Sequence, residues 1–392
     1  MSTENTSGQA TLAPHDTRVG HDVPVQTRSE RFASDRVDDF ASVTGREPEW
    51  KLSPVAKLQP LFEGALEGGS YDIAASTGQG FSTQWLAPGA APRGVAGLPE
   101  DRAAANAWSQ TSEVLLVEIQ GEHTEPLTLS RSHMGAAARA AHTIVRAYPN
   151  SHATLILESG GAALLAENVE FDIQEGATLQ VVCVQDWDAG TIHYGAHFAT
   201  VAKDATFTQI VVTLGGDVVI VNPSTQLVGQ GSEGHLWGAY FADSTQHIEH
   251  RVYVHHQGPQ TVSRVTYKGA LHGKGARTVW VGDVLIGADA VGTDSYEQNR
   301  NLVLSDGTRA DSIPNLEIKT GDIAGAGHAS ATGRFDDEQL FYLQSRGIEE
   351  LDARRLVVMG FLVDVVSKIK DPELVAALTE KIQQKLSETE EA

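Results

Sequence analysis

Cysteine is almost missing from this chain: 392 residues contain only Cys183. No internal disulfide can form, and a lone thiolate cannot assemble the multi-cysteine set that holds a permanent metal–sulfur cluster. Positive charge is scarce too, with 29 Lys and Arg against 51 Asp and Glu and a formal charge of −22. That balance repels a phosphate backbone and an anionic bilayer surface, so neither nucleic acid nor membrane is expected as a partner. No run of about 18 apolar residues is present, and the N-terminus lacks the basic flank and apolar middle of a secretory signal. The expectation is a soluble, cytoplasmic protein whose partners are proteins or metals. There is no G-x-S-x-G elbow and no P-loop lysine motif, which leaves serine hydrolysis and intrinsic ATP hydrolysis without support.

What is present divides the chain by pattern. A hydrophobic content of 41% can bury a large core, and the length suits one large β domain with helical flanks or two ordinary domains. Residues 1–28 are polar and non-periodic, predicting a disordered tail that buries too little apolar surface to offset its ordering entropy. An N-terminal helical segment is expected over 29–70. It opens with a short helix from Ser29 to Val43, carrying Phe32, Val37, Phe40 and Val43 and stopping at Gly45.

Between 71 and 333 short Val, Ile, Leu and Thr runs are broken by Gly, Asp and Asn, the mark of many brief strands. Three runs begin alike: Ala153-Thr154-Leu155, Ala177-Thr178-Leu179 and Ala205-Thr206-Phe207, with Gly234-His235-Leu236 continuing loosely. Spacings of 24 and 28 residues (153 to 177, 177 to 205) fit successive coils of a β-solenoid better than the roughly 8–12 of sandwich strands. No long amphipathic segment lies between the strands, which argues against βαβ crossovers. A mainly β fold with a parallel β-helix core is therefore preferred, a β-sandwich remaining open. After Arg334 the period becomes helical over 334–392. Asp336-Asp337-Glu338 suits a first turn, and Leu351, Arg355, Met359, Leu362, Val366 and Ile369 step at three and four residues. Asp371-Pro372 starts a further helix with Leu374, Leu378, Ile382 and Leu386 as its stripe.

Several candidate sites have plainer readings. Gly229-Gln230-Gly231-Ser232-Glu233-Gly234 spells a dinucleotide fingerprint, but a strand pattern follows where the pyrophosphate needs a helix N-terminus, so a turn between coils explains it better. His247, His250, His255 and His256 crowd together, yet residues three apart on a strand point to opposite faces, and no structural metal site is expected of them. Asp289, Asp294, Glu297 and Asp311 invite comparison with polysaccharide-cleaving β-helix enzymes, although nothing in their spacing forms a carboxylate pair. His328 differs in context, lying in Ala324-Gly325-Ala326-Gly327-His328-Ala329-Ser330-Ala331-Thr332-Gly333. Small neighbours leave its imidazole uncovered and let another backbone approach. A neutral imidazole is a good iron ligand if a partner chain adds thiolate or carboxylate; the plain reading is polar surface.

Residues 315–348 carry a resemblance as well. Leu316-Glu317-Ile318, Gly325 to Gly333, Asp336-Asp337-Glu338 and Phe341 to Ile348 resemble the end of the core domain of the SufD branch of the SufB/SufD family, scaffold subunits in SUF iron–sulfur cluster assembly. Gln246-His247-Ile248-Glu249-His250, Val262-Ser263-Arg264, Tyr267-Lys268-Gly269 and Asp294 to Leu304 follow in the family's order, and Glu47 to Lys51 resembles its opening segment. The resemblance implies a right-handed parallel β-helix and a non-enzymatic role. It implies heterodimer pairing with SufB through strands near the C-terminal end of the solenoid, with His328 at the junction. It implies docking of the ATPase SufC on the C-terminal helical domain, with Phe341, Tyr342, Arg346, Gly347, Leu356 and Phe361 as contact residues. No cofactor is expected to be permanently bound; an iron–sulfur cluster or iron would be shared transiently with SufB, whose cysteines would supply the sulfur. Ala326 stands where the family often has a cysteine, so His328 carries the ligand reading alone. Trp280-Val281-Gly282 departs from the family's usual Phe and Asn, a matter of packing. A polysaccharide-active enzyme and a structural homodimer, the latter possible for the isolated chain, are the alternatives.

Overall fold

Runs of about ten β-forming residues, closed by turns of a few residues, recur through the middle of the chain, and each run becomes one strand. A computed structural model of the protein describes residues 31–391 apart from 133, 136, 335 and 336. The expected tail over 1–28 and Asp336 lie outside the described residues. In chain order the first strands are β1 (Ala74–Ala75), β2 (Phe81–Leu86), β3 (Val114–Ile119), β4 (Leu127–Arg131), β5 (Ala138–Ala147) and β6 (His152–Gly161). The middle holds β7 (Leu164–Ile173), β8 (Thr178–Trp187), β9 (Ile192–Val201), β10 (Thr206–Thr213), β11 (Val218–Leu227) and β12 (Glu233–Ala242). Last come β13 (His247–His256), β14 (Val262–Leu271), β15 (Arg277–Ile286), β16 (Thr293–Val303), β17 (Arg309–Ile318) and β18 (Ile323–Gly333).

Odd strands from β3 to β17, with β2, form one nine-stranded sheet; even strands from β4 to β18, with β1, form the other. Pairing within each sheet is parallel except at β1–β4 and β2–β3, which are antiparallel. Each coil thus crosses both sheets once, which makes the core the expected parallel β-helix.

Register explains the repeat. The buried residues that open the even strands are Ser151, Ala177, Ala205, Ser232, Thr261 and Thr293, each at most 1% exposed. They stack because the strands behind them align, Thr178 with His152 and with Thr206, and Val262 with Asp294. Small residues are required where the chain turns inward, and Thr261 Oγ1 meets Thr293 Oγ1 at 3.1 Å. Ala153, read in sequence as the partner of Ala177, lies instead beside Leu179. A slip of two residues keeps side chains on the same face, so the false match looked periodic.

Aromatic side chains fill the interior by nesting over glycines on the neighbouring strand. Gly238 pairs with Tyr267 and Tyr240 with Gly269, and a Cβ at either glycine would overlap the facing ring. This gives the Tyr267-Lys268-Gly269 motif a packing cause.

Helices cover both outer faces. α1 (Val55–Glu63) and α2 (Arg102–Gln110) lie on the odd sheet; Trp50, Leu58, Leu61, Phe62, Ala103, Ala104 and Ala107 pack there with Ala166, Tyr194 and Phe198. Asp101 caps α2 by accepting from the Ala104 backbone N–H at 3.0 Å. After the solenoid come α3 (Asp337–Ser345), α4 (Glu350–Val366) and α5 (Pro372–Glu391). Val358, Leu362, Val365, Val366, Ile369, Leu378, Ile382 and Leu386 bury against Val182, Ile210, Val212, Ala239 and Phe241 of the even sheet. With both faces covered, the strands read as near-continuous apolar runs. Gln180 adds a clamp, donating to Lys368 O at 3.1 Å and accepting from Lys370 N at 2.9 Å.

Two local expectations change. Within the described part of 29–43 the only helical turn is a 3-10 turn at Val37–Asp39. The Arg102 guanidinium takes the carbonyls of Val37 and Phe40 at 3.1 and 2.6 Å, groups a longer helix would need for itself. In α4 the buried stripe runs through Ala353, Val358, Leu362 and Val365, while Leu351, expected on it, is 56% exposed.

Gly269→Ala and Gly238→Ala should each lower unfolding stability by about 2 kcal/mol, since overpacking a filled core costs roughly 1–3 kcal/mol. Urea denaturation checks this: the midpoint falls while the slope is unchanged.

Candidate functional site

The two ends of the solenoid differ. At the start, the antiparallel strands β1 and β2 cover the first coil. At the finish, β17 and β18 are the terminal strands of their sheets, with no further strand partner among the described residues. Exposed edges are usually blunted by charge or proline. β17 follows that rule with Arg309, Asp311, Pro314 and Glu317. β18, read IAGAGHASATG, carries no formally charged residue and no proline over eleven positions.

His328 sits in the middle of this strand and is exposed. β16 and β18 run in register, pairing Ser295 with Ala326, Glu297 with His328, Asn299 with Ser330 and Asn301 with Thr332. These are the inward-facing series: Ser295, Glu297, Asn299 and Asn301 are buried, Ala326 packs on the central core, and Asn301 donates to Thr332 Oγ1 at 3.4 Å. His328 therefore belongs to the interior column of the last coil and is uncovered because no further coil follows among the described residues.

The interior turns polar as it nears this end. Tyr240 donates to Asn301 Oδ1 at 2.7 Å, Asn299 donates to Tyr240 Oη at 2.9 Å, Asn301 donates to Asn299 Oδ1 at 2.8 Å, and Ser312 donates to Asn299 Oδ1 at 2.5 Å. Glu297 stands apart from that network. Neither carboxyl oxygen has a hydrogen-bond partner, although the residue is 1% exposed. Burial, then the negative Asp283, pushes its carboxyl up to about 8, against the opposing pull of the nearby Asn315 backbone N–H.

The other sequence candidates disperse. His247 donates from Nε2 to the Glu249 carboxylate at 2.9 Å on the outer face, whereas His250 lies inside between Tyr240 and Tyr267. Burial holds His250 and His256 down to about 3, so both are neutral. His255 contacts Gln226 at 3.0 Å, and His256 contacts Thr261 and Ser263 at 2.7 and 2.8 Å. Asp294 pairs with Arg264 at 2.5 Å and Asp311 with Arg309 at 2.7 Å, and among the described residues no three of the four carboxylates gather at one place. Residues 229–232 form a turn before β12, and the phosphate-binding helix is indeed replaced by a strand. Cys183 is buried, and burial pushes its thiol up to about 12, which leaves it protonated and unreactive. Among the described residues, no group of three or more His, Cys, Asp and Glu is placed to hold a metal ion.

On the helices, Phe341 is 72% exposed and Tyr342, Leu351 and Leu356 are more than half exposed, a set of large apolar side chains facing outward. Arg346 lies over the Tyr342 ring at 5.3 Å, and Gly347 ends α3's turn at φ +87°. Phe361 faces the solenoid instead, under Lys268 at 4.9 Å. No described helix is long and apolar enough to cross a membrane.

The SUF system FeS cluster assembly SufBD core domain matches residues 129–361, which is the solenoid from β4 through α3 into α4. The chain belongs to the SufBD family. An iron–sulfur cluster assembly SufBD family protein of Mycobacterium tuberculosis is 45% identical over 373 residues, covering 93% of this chain and 94% of the relative. One from Mycobacterium leprae is 42% identical over 381 residues, covering 95% and 97%. The iron–sulfur cluster assembly protein SufD of Escherichia coli is 31% identical over 194 residues, 50% of this chain and 45% of that protein.

Sequence reading placed Glu297 only among unrelated carboxylates. The signal that could have found it is the two-residue alternation in Ser295, Glu297, Asn299 and Asn301, which assigns all four to one face. An acid raised by burial binds a proton in the folded state that the unfolded state releases, so stability is full below about 4.5 and falls as pH rises toward about 8. Glu297→Gln should remove that slope. Thermal or urea unfolding from acidic to alkaline pH is expected to show the variant gaining at least about 2 kcal/mol on the wild type above pH 8. Parallel profiles would contradict a neutral Glu297.

Proposed function

We propose that this SufBD family protein is a non-enzymatic scaffold subunit that pairs with SufB along β18, presents His328 at the seam, and docks SufC on its C-terminal helices. The observation that carries the reading is the uncharged, unpaired terminal strand with an imidazole at its centre. Backbone N–H and C=O groups on such an edge favour addition of another chain's strand. A partner strand there would bring its side chains against His328, where iron and sulfide could be held as cargo. Supply of sulfur falls to the partner, because Cys183 is sealed inside as a thiol. The exposed Phe341, Tyr342 and Leu356 support helix docking, since clustered apolar side chains on a surface are characteristic of interfaces. Phe361 would contribute indirectly, by fixing α4 on the solenoid.

A polysaccharide-active enzyme loses its main support, as the carboxylates it needs are dispersed. Self-pairing through β18 is the remaining alternative for the isolated chain. Cells lacking the native copy and carrying His328→Ala should lose about tenfold or more of iron–sulfur enzyme activity, the scale on which metal-site residues act. Normal cluster production in those cells would leave only a structural homodimer. A double change, Phe341→Glu with Leu356→Glu, should weaken SufC recovery in pull-downs by at least about 2 kcal/mol, roughly thirtyfold in affinity. Undiminished recovery would defeat the docking claim.

A further inference from the structure

One inward column can be followed by register through the even sheet from β6 to β18. It runs Leu155, Val181, Gln209, Leu236 and Val265, and then reaches Glu297 and His328. Four of the first five positions are apolar, as a stacked interior requires. The last two are a carboxyl and an imidazole. Adjacent parallel strands lie about 4.8 Å apart, so two register neighbours on one face are within reach of a common atom.

The carboxyl has a built place but no charged partner, and neither of its oxygens makes a hydrogen bond of good geometry, the Asn315 backbone N–H being the donor nearby. Gly282 makes its room, because a Cβ there would overlap Glu297 Oε2. Leaving a buried carboxyl unpaired is costly, and an apolar residue would match the column behind it. One imidazole and one carboxylate are the donors preferred by divalent first-row transition ions. The isolated chain offers these two ligands and no third among the described residues. Coordination positions thus stay open to water or to another molecule at the uncapped end, as in sites that exchange their ligands.

We propose that Glu297 and His328 together bind one divalent transition-metal ion at the open end of the solenoid, with ferrous iron as the natural class and Glu297, neutral in the empty site, releasing its proton to water on binding to become the buried anionic ligand. This deepens, and rests on, the reading of His328 as the scaffold's site residue. His328 faces the outside and receives the ion; Glu297, one coil deeper, neutralises part of its charge.

The test is an anaerobic titration of the full chain with Co2+ at neutral pH, followed by visible absorption. Wild type is expected to show one saturable site. Glu297→Gln and His328→Ala should each bind at least about tenfold more weakly. Glu297→Leu, which continues the apolar column, serves as a second carboxyl-free variant should the amide disturb folding. Absence of a saturable site in the wild type, or a loss smaller than about tenfold in a folded Glu297 variant, overturns the metal pair. Cluster production in His328→Ala cells separates the two readings. Failed Co2+ binding beside impaired production removes only the metal pair, while normal production removes the scaffold site and the pair with it.

Discussion

Each coil of this protein must lay its inward side chains on those of the coil before it, and that stacking constraint governs the rest of the structure. Parallel ladders hold successive strands in register, so every interior position has one neighbour above and one below. Volume errors cannot be absorbed sideways. Small residues recur where the chain turns, from Ser151 to Thr293, and tyrosines lie where glycines make room, as Tyr240 does over Gly269. A stack built this way is stable inside and unfinished at its ends.

How each end is finished differs. Two antiparallel strands close the first coil. The last coil is left with polar inner residues, a hydrogen-bonded set around Asn299 and Asn301, and an uncharged outer edge. Polar interior residues tolerate an end that faces water or a partner, whereas the apolar column of the middle coils would not. The same lack of charge and proline that makes β18 an imperfect terminus leaves its backbone edge open, the condition on which the proposed pairing rests.

The C-terminal helices answer a separate need. The outer face of the even sheet carries Val182, Ile210 and Phe241, which must be covered, and α4 and α5 cover it with the stripe from Val358 to Leu386. Lys268 reaches both Asp364 at 2.7 Å and the Phe361 ring, tying a family motif to the helix that crosses it. What remains outward on α3 and α4, Phe341 and Leu356 among others, is not needed by the solenoid.

Much of this was legible in the sequence. Short β runs, repeat spacings too long for a sandwich and the change to helical period after Arg334 pointed to a solenoid with helices behind it, and the α5 stripe was read residue by residue. His328 was singled out because its small neighbours leave it open. Three things needed the tertiary structure. The true repeat begins at Ser151, since a two-residue slip preserves face and hides the error. The segment from residue 31 to Val43 stays irregular because Arg102, distant in sequence, takes its carbonyls. Glu297 becomes the register neighbour of His328 only through strand pairing across an intervening strand of the other sheet. Local pattern and composition determined which residues are strand, helix and inward-facing, because alternation and hydrophobicity act over a few neighbours. Which inward residues touch was decided by the stacking of coils about 30 residues apart, a spacing no local rule can measure.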